Sequence, residues 1–182
     1  QRSLDLTVTA TGNLRPTNQV EVGSETSGRI DQVLVDVNDR VARGQVLARI
    51  NTDVIEDQIR QAQANLDAAR AQVAQARATL EVDTAQLGRL QEVYRLSDGR
   101  VPSRTELEAA EANVARDRAA VNSANANVVA AQAQLSSNVT NRNRAVIRSP
   151  VSGVVLARRV EPGQTVAASF NAARSVVTPR QI

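Results

Sequence analysis

Apolar residues recur every seven positions through two long stretches in the middle of the chain. A second stripe, made mostly of alanine, lies four positions earlier in each heptad of both stretches. Large residues that alternate with small ones at heptad spacing are the signature of a coiled coil. The large positions are Ile59, Leu66, Val73, Leu80, Leu87 and Tyr94, then Leu107, Val114, Val121, Val128 and Leu135. This pattern predicts two long α-helices that pack against each other.

The two heptad stretches are separated by residues 97–102 (SDGRVP), which have the composition of a turn. Two helices joined by so short a connection run antiparallel, each about 60 Å long. The sequence therefore predicts an antiparallel coiled-coil hairpin over residues 53–141, with its tip at about 97–103. When Leu66 is paired with Leu135, the two residue numbers of every facing pair add up to 201. The predicted seam consists of Leu66, Val73, Leu80, Leu87, Val114, Val121, Val128 and Leu135.

One layer of the seam is polar on both helices, because Asp83 falls level with Asp117. Either both carboxylates point to solvent in a polar layer that fixes the register, or they form an arginine-paired contact with a neighbouring hairpin. In the second interpretation, Arg89 or Arg118 is the donor. A catalytic carboxylate pair would need a walled pocket, which two helices alone do not provide. Since alanine layers bury little apolar area, so thin a hairpin favours lateral assembly with copies of itself.

The segments on either side of the hairpin repeat one another at a distance of 125 positions. Ser27-Gly28 corresponds in this way to Ser152-Gly153. Each copy runs from glycine through a β-branched stretch to a turn and then to valine, which is typical of short strands. Neither copy buries enough apolar area to fold alone, so we expect the two to pack together, with one sheet from each copy. The predicted fold class is α+β: a β-sandwich from residues 19–52 and 142–170, split by the hairpin.

The 182 residues contain no lysine, histidine, cysteine, methionine or tryptophan, so all 22 basic residues are arginine. Without these residue types there can be no thiolate or Ser-His-Asp nucleophile, no Schiff-base lysine and no zinc site with soft ligands. Tyr94 and Phe170 are the only aromatic residues, too few for a base-stacking surface. We therefore predict no enzymatic activity, no cofactor, no metal and no nucleic-acid partner. No apolar run approaches the ~20 residues of a membrane span, so if the native protein has a leader or anchor, it lies outside this chain.

Short motifs lie at both ends of residues 5–168, with the hairpin between them. They are residues 10–16 (ATGNLRP), 27–30 (SGRI), 37–48 (VNDRVARGQVLA), 148–155 (RSPVSGVV) and 163–166 (GQTV), behind a predicted strand over residues 6–12. A motif cut in two by a helical hairpin in this way resembles the periplasmic adaptor, or membrane fusion, proteins of the HlyD/AcrA/MacA group. The resemblance implies that the sandwich is lipoyl-like.

The resemblance also implies a function. Such adaptors lie in the periplasm, anchored to the inner membrane, and assemble as homo-oligomers, commonly hexamers. They join an inner-membrane transporter to a TolC-like outer-membrane channel and catalyse nothing themselves. True lipoyl domains carry an acceptor lysine at the turn that the hairpin replaces here, and this chain has no lysine to serve as a carrier. The alternative is a structural coiled-coil scaffold outside transport, which would not need the split repeat.

In this family an arginine–leucine–serine constellation at the hairpin tip contacts the channel. Ser103 and Leu96, seven residues apart, match the serine and the leucine. The position at which the pattern expects the arginine holds Glu92. The resemblance therefore makes Arg89 or Arg95 the candidate for that third role.

Two candidate residues also have a purely structural interpretation. Ser103 opens the sequence Ser103-x-x-Glu106, a capping box at the start of the second helix, so it either caps only or caps and contacts the channel. MacA-type adaptors narrow their channel with a ring of glutamines, for which Gln164 in the GQTV segment is the candidate. Gln164 is otherwise a solvent-exposed turn residue. The same segment favours an ABC-type transporter as the partner.

The two ends of the chain are expected to lie outside the sandwich. Residues 1–18 are predicted to contribute an N-terminal strand to a β-barrel or membrane-proximal region. After residue 170 the family expects an apolar strand that leads into that barrel, and residues 171–182 do not continue in this way. They are therefore expected to be a tail or a truncated linker, with the C-terminal barrel absent.

Overall fold

The structure is a computed structural model that describes residue 9, residues 18–168 and residues 171–177, of which residues 18 and 171–177 are described by their backbone only. The chain divides into two units, one built from both ends of the chain and one from residues 52–143. The helices are α1 (Asp53–Leu96) and α2 (Arg104–Arg144). The strands are β1 (Asn18–Gly23), β2 (Gly28–Val33), β3 (Arg40–Val41), β4 (Val46–Ile50), β5 (Val146–Arg148), β6 (Gly153–Arg158), β7 (Thr165–Val166) and β8 (Asn171–Val177).

The first unit contains two four-stranded antiparallel sheets, and each sheet takes two strands from each half of the chain. One sheet has the order β1-β8-β6-β3 and the other has the order β5-β4-β2-β7. Strands β2, β3 and β4 begin 125 positions before β6, β7 and β8 respectively, and β1 ends 125 positions before β5. A shift by 125 therefore converts one strand order into the other. The predicted sandwich split by a hairpin is confirmed, but the expectation of one sheet from each copy is wrong, because each sheet combines strands of both halves.

The turns of the two halves repeat the same geometry. Asn38 and Gly163, which are 125 positions apart, both have left-handed backbones, with φ of 74° and 86°. The Asn38 N–H donates to the Val155 carbonyl oxygen at 2.8 Å, and the Gly163 N–H donates to the Ile30 carbonyl oxygen at 2.7 Å. Asparagine and glycine tolerate this conformation better than other residues do. Each turn thus ties one half of the sandwich to a strand of the other half.

The buried core of the sandwich follows the same repeat. Ile30 and Val155 are both fully buried, at equivalent positions in β2 and β6. Three further buried apolar pairs stand 125 positions apart: Val22 with Ile147, Val35 with Val160, and Val41 with Val166. Since each pair places one side chain from each half in the core, neither half has a complete core of its own.

Residues 171–177 do not form the expected tail but strand β8. This strand lies between β1 and β6 and pairs with both in antiparallel register. Its sequence lacks a continuous apolar run, which is why its side chains indicate a linker. The strand forms because two neighbouring strands offer unpaired backbone groups, and satisfying those groups outweighs a weak side-chain pattern. The strand predicted over residues 6–12 lies outside the described residues apart from Thr9, which belongs to no strand.

The second unit is a hairpin of α1 and α2 joined by residues 97–103, and α2 ends at residue 144 rather than at 141. All eight predicted seam residues are buried or half-buried. Leu66, Val73 and Val114 are the most buried of them, with 1%, 8% and 4% of their surface exposed. The predicted antiparallel hairpin is confirmed. Among the described residues, neither helix has an apolar stretch that could cross a membrane.

Polar groups also join the two helices. Asn138 Nδ2 of α2 donates to the Gln58 carbonyl oxygen of α1 at 3.2 Å. The interpretation that both aspartates of the polar layer point to solvent is wrong for Asp117, which is only 5% exposed, and Asp83 is half-buried. Asp117 lies on the alanine-rich stripe of the seam, which faces the other helix, so α1 covers its side chain.

Candidate functional site

The tip loop of the hairpin is held by its own hydrogen bonds. The Ser97 hydroxyl donates to the Val101 carbonyl oxygen at 2.8 Å and accepts the Val101 N–H at 3.0 Å. The Gly99 N–H donates to the Tyr94 carbonyl oxygen at 2.9 Å, with Gly99 in the left-handed conformation at φ 78°. Asp98, also left-handed at φ 54°, takes the position after the C-cap at which such a residue commonly closes the last turn of a helix. Ser97 was not identified as a functional residue from the sequence, where it counted only toward the turn composition of residues 97–102.

Ser103 opens α2 with the predicted capping box, which is confirmed. The Glu106 N–H donates to Ser103 Oγ at 3.3 Å, and the Ser103 N–H donates to Glu106 Oε2 at 3.1 Å. The two bonds satisfy backbone donors that the first turn of a helix leaves without partners. Ser103 is exposed, and its hydroxyl uses only an acceptor lone pair in the cap. The hydroxyl proton therefore stays available for an external acceptor, so capping and docking are compatible.

Three apolar side chains near the tip are exposed. Leu96, the last residue of α1, is 70% exposed, Val101 is 55% exposed and Val93 is 46% exposed. Leu96 and Ser103 stand at the two ends of the tip loop. Exposed apolar residues next to polar groups that can still form hydrogen bonds are typical of a surface that binds another protein.

The arginine candidates are bound to neighbours on their own helix. Arg95 pairs with Glu92 through both carboxylate oxygens, with Nη2–Oε1 at 2.6 Å and Nε–Oε2 at 3.1 Å. This hydrogen-bonded pair lowers the pKa of Glu92. Arg89 lies about 10 Å from Leu96 along α1, and its Nη2 donates to Gln86 Oε1 at 2.7 Å. Position 92, where the family pattern expects arginine, thus carries the carboxylate of Glu92, which holds the guanidinium of Arg95 beside it.

The pore-ring candidate Gln164 lies in the other unit, in the turn before β7. Its Oε1 accepts the Glu161 N–H at 3.2 Å, and its carbonyl oxygen accepts the Ile30 N–H at 2.8 Å. The equivalent residue of the first half is Asp39, whose Oδ2 accepts the Asp36 N–H at 2.7 Å. As a turn residue, Gln164 therefore has a definite structural role, because its side-chain oxygen closes the turn. Gln164 is exposed.

The residues predicted for function thus fall in two separate units. Ser103, Leu96 and Arg95 belong to the tip, and Gln164 belongs to the sandwich. The tip offers an apolar surface, a free hydroxyl and a paired guanidinium, which are groups for binding and not for bond-making chemistry. Its arrangement suits a protein that holds other proteins together.

Comparison with known proteins identifies relatives that share this architecture. A family model described as the RND MFP, barrel-sandwich hybrid domain, matches residues 18–178. The chain is similar to the macrolide export protein MacA of Yersinia pestis, with 38% identity over 63 residues, which make up 35% of this chain and 17% of that protein. Among solved structures, it resembles MacA from Actinobacillus actinomycetemcomitans, with a TM-score of 0.78 and 24% identity, over 90% of this chain and 49% of that one.

A further structural relative is the periplasmic adaptor protein EmrA, with a TM-score of 0.58 and 15% identity, over 90% of this chain and 73% of that one. At these identities the solved structures show the shared fold. The chain spans about half the length of the MacA structure and 17% of the curated relative. The family model, by contrast, covers both sheets and the whole hairpin. The chain therefore belongs to the membrane fusion proteins that carry an RND-type barrel-sandwich hybrid domain.

Proposed function

We propose that this protein is the adaptor subunit of a tripartite efflux or secretion system. It lies in the periplasm, is anchored to the inner membrane in its full-length form, and bridges an inner-membrane transporter to a TolC-like outer-membrane channel as a homo-oligomer, commonly a hexamer. The observation that carries the proposal is Leu96, which is 70% exposed at the end of α1 beside a loop held by its own hydrogen bonds. A large apolar side chain on such a surface is stabilised when a partner covers it.

The tip is the proposed contact with the channel. Ser103 donates its free hydroxyl proton, Leu96 packs against the partner, and Arg95 or Arg89 supplies the positive charge. Arg95 is already paired with Glu92 on an exposed surface, and such a pair contributes little to the stability of the free protein. Arg95 can therefore exchange Glu92 for a carboxylate of the channel at a low cost in free energy.

The tip contact is tested by Leu96→Ser in the full-length, membrane-anchored protein. The matched control is Val82→Ser, because Val82 is 63% exposed on α1 but lies about 20 Å from the tip. We expect Leu96→Ser to reduce co-purification of the channel and substrate export, while Val82→Ser leaves both unchanged. Equal losses for the two variants would show that exposed apolar surface in general, and not the tip, supports docking.

The proposed transporter class is ABC, supported by the resemblance of residues 163–166 (GQTV) to MacA-type adaptors. Affinity purification of the full-length protein from membranes, followed by mass spectrometry, tests this class directly. We expect an ABC transporter and a TolC-like channel to be recovered together. Recovery of an RND pump would overturn the ABC assignment. Recovery of neither transporter nor channel would favour the structural scaffold outside transport.

The proposed pore ring is formed by Gln164 side chains from successive subunits. Gln164→Ala would also remove the bond from the Glu161 N–H, so Gln164→Glu is the sharper variant. It keeps an oxygen acceptor in the turn and removes the amide donor that a glutamine ring needs. We expect Gln164→Glu to change export without lowering the thermal stability of the protein. Unchanged export would count against the ring.

A further inference from the structure

The polar layer of the hairpin contains a carboxylate whose bonding is incomplete. Asp117 is 5% exposed, and among the described residues its Oδ2 is buried and accepts no hydrogen bond. Its Oδ1 lies 3.6 Å from Nη2 of Arg116, whose side chain is 70% exposed. The carboxyl group of Asp83 faces it from α1 and adds a second negative charge to the layer. A buried carboxylate beside another carboxylate is stabilised by an additional cation.

Asp117 borders a groove of about 350 Å³ on one flank of the hairpin. Amides and hydroxyls from both helices line it, including Gln75 and Thr79 of α1 and Ser123 and Asn127 of α2. Alanines at three other lining positions leave the space open. This Asp117 groove combines one negative charge with several neutral acceptors. A guanidinium, with five donors in a plane and a positive charge, is the group that matches such a lining.

Two arginines lie on the opposite flank of the hairpin. At 100° per residue, Arg77 and Arg118 each lie about 150° around their helices from the groove. Both are exposed, and within the described residues neither guanidinium has a hydrogen bond or an ion pair. Arg89, the other donor considered from the sequence, is by contrast bound to Gln86. The flank that carries Arg77 and Arg118 is the arginine flank.

Of these two arginines, only Arg118 stands at the height of Asp117. Arg118 follows Asp117 directly along α2 and is level with Asp83 in the register of the hairpin. Arg77 is level with Ala124, which lies about 10 Å further from the tip than Asp117. In a closed ring of parallel hairpins, one flank of each copy meets the opposite flank of the next at equal height, because rotation about the ring axis produces no shift along it.

We propose that the Asp117 groove receives the Arg118 side chain of a second copy of this chain. This inference rests on the homo-oligomer of the proposed function, but not on its transporter or its channel. The contact neutralises the Asp83–Asp117 layer and fixes the height at which neighbouring hairpins pack. It is heterologous: each hairpin contributes its groove to one neighbour and its arginine flank to the other.

The proposal is tested by the association constant of the full-length adaptor, measured by sedimentation without transporter or channel. Asp117→Asn keeps the shape of the side chain and removes its charge, and Arg118→Gln removes the donor. We expect each to weaken association about tenfold or more. Arg77→Gln is the matched control, because it removes another exposed charge from the same flank about 10 Å away. Helix content and thermal unfolding verify that all three variants still fold.

The double variant separates a direct contact from a general charge effect. If Asp117 and Arg118 bind each other across the interface, the double variant associates no more weakly than either single variant. Additive losses, equal losses for Arg77→Gln and Arg118→Gln, or a wild-type protein that stays monomeric would each overturn the proposal. Loss of the channel in a pull-down would not, since that result concerns the tip.

Introduced cysteines test the geometry, because these 182 residues contain none. Thr79 on the groove flank and Asn122 on the arginine flank are both exposed and level with each other in the hairpin. We expect a short bis-maleimide to link copies of the Thr79→Cys/Asn122→Cys variant into a ladder of oligomers, and to leave Thr79→Cys alone unlinked. Efficient dimers from Thr79→Cys alone would show that groove meets groove, which contradicts the proposed contact.

Discussion

Asn138 of α2 donates its side-chain N–H to the backbone carbonyl oxygen of Gln58 on α1, at 3.2 Å, near the base of the hairpin. The Asn138 Oδ1 in turn accepts a hydrogen bond from Gln134 at 3.1 Å. Asn138 is only 8% exposed, so these bonds replace water that cannot reach it. A residue that bonds to the backbone of the facing helix fixes the register more specifically than an apolar contact does.

Replacing Asn138 by alanine should therefore destabilise the hairpin. The change removes the bond to Gln58 and opens a small gap in the seam, so we expect the free energy of unfolding to fall by about 1–3 kcal/mol. Urea unfolding followed by circular dichroism measures the change. Asn141→Ala, at an exposed position one turn further along α2, is the control and should have little effect. Similar losses in both variants would contradict the assigned role.

Ser103 should separate helix capping from docking. Ser103→Ala removes the acceptor for the Glu106 N–H, so we expect a loss of about 1 kcal/mol. Ser103→Asp retains an N-cap acceptor and should keep the stability of wild type, yet it places a negative charge at the tip and should impair export. Thermal unfolding and an efflux assay on the same pair of variants provide the two readouts. Unchanged export by Ser103→Asp would remove Ser103 from the channel contact.

Two glycines should respond to alanine in opposite directions. A Cβ at Gly28 would stand 2.5 Å from Ile50 Cγ2, and the Ile50 side chain is buried in the core. Gly28→Ala should therefore destabilise the sandwich by about 1–3 kcal/mol. Gly88 lies inside α1, and a Cβ there would have no neighbouring atom within 4 Å, so Gly88→Ala should stabilise the hairpin by about 0.5–1 kcal/mol. Melting temperatures of the two variants that shift in the same direction would contradict this prediction.

The polar layer should make hairpin stability depend on pH. The pKa of Asp83 is raised, first because its protonated form can donate a hydrogen bond to Asp117, then by desolvation and by the charge of Asp117, while the charge of Arg116 opposes this. The folded hairpin therefore binds this proton more tightly than the unfolded chain does. The unfavourable contribution of Asp83 is complete above its raised pKa and vanishes as the pH falls below the unfolded value.

The variant that isolates this effect is Asp83→Asn, which cannot ionise. We expect it to be more stable than wild type at neutral pH, with a difference that shrinks as the pH falls. The Tm of both proteins, measured by circular dichroism between about pH 3 and pH 7, gives this difference directly. Subtraction cancels the opposite trend from Glu92, whose pKa is lowered by Arg95. A difference in Tm that does not change with pH would contradict the prediction.

The hairpin could be predicted from the sequence because a heptad pattern directly specifies which side chains face the partner helix. The positions from Leu66 to Leu135 in the seam are buried or half-buried without exception. The repeat at 125 positions likewise predicted the sandwich, because equivalent segments form equivalent strands. The capping box at Ser103 was recognisable since its two bonds depend on residues only three positions apart.

What could not be predicted depends on contacts between distant segments. Strand β8 was missed because its side chains give a weak pattern, although extending the repeat from the start of β4 at Val46 leads to Asn171, where β8 begins. The burial of Asp117 was missed because a carboxylate is expected to turn toward solvent, whereas its place on the seam keeps it against the facing helix. In both places, the surroundings and not the residue itself determine the structure.

The exchange of strands between the two halves also sets an order in which this chain can fold. Each sheet pairs strands that precede the hairpin with strands that follow it, so neither sheet can be completed from the first half alone. Closing so long a loop costs less entropy once the helices have formed, because most of the intervening chain is then no longer flexible. During synthesis β1 and β3 therefore wait without partners, and the β2–β4 pair keeps two open edges, until about a hundred further residues have emerged. The fast local folding of the helices shortens that wait and limits the time in which strands from two nascent chains can pair wrongly.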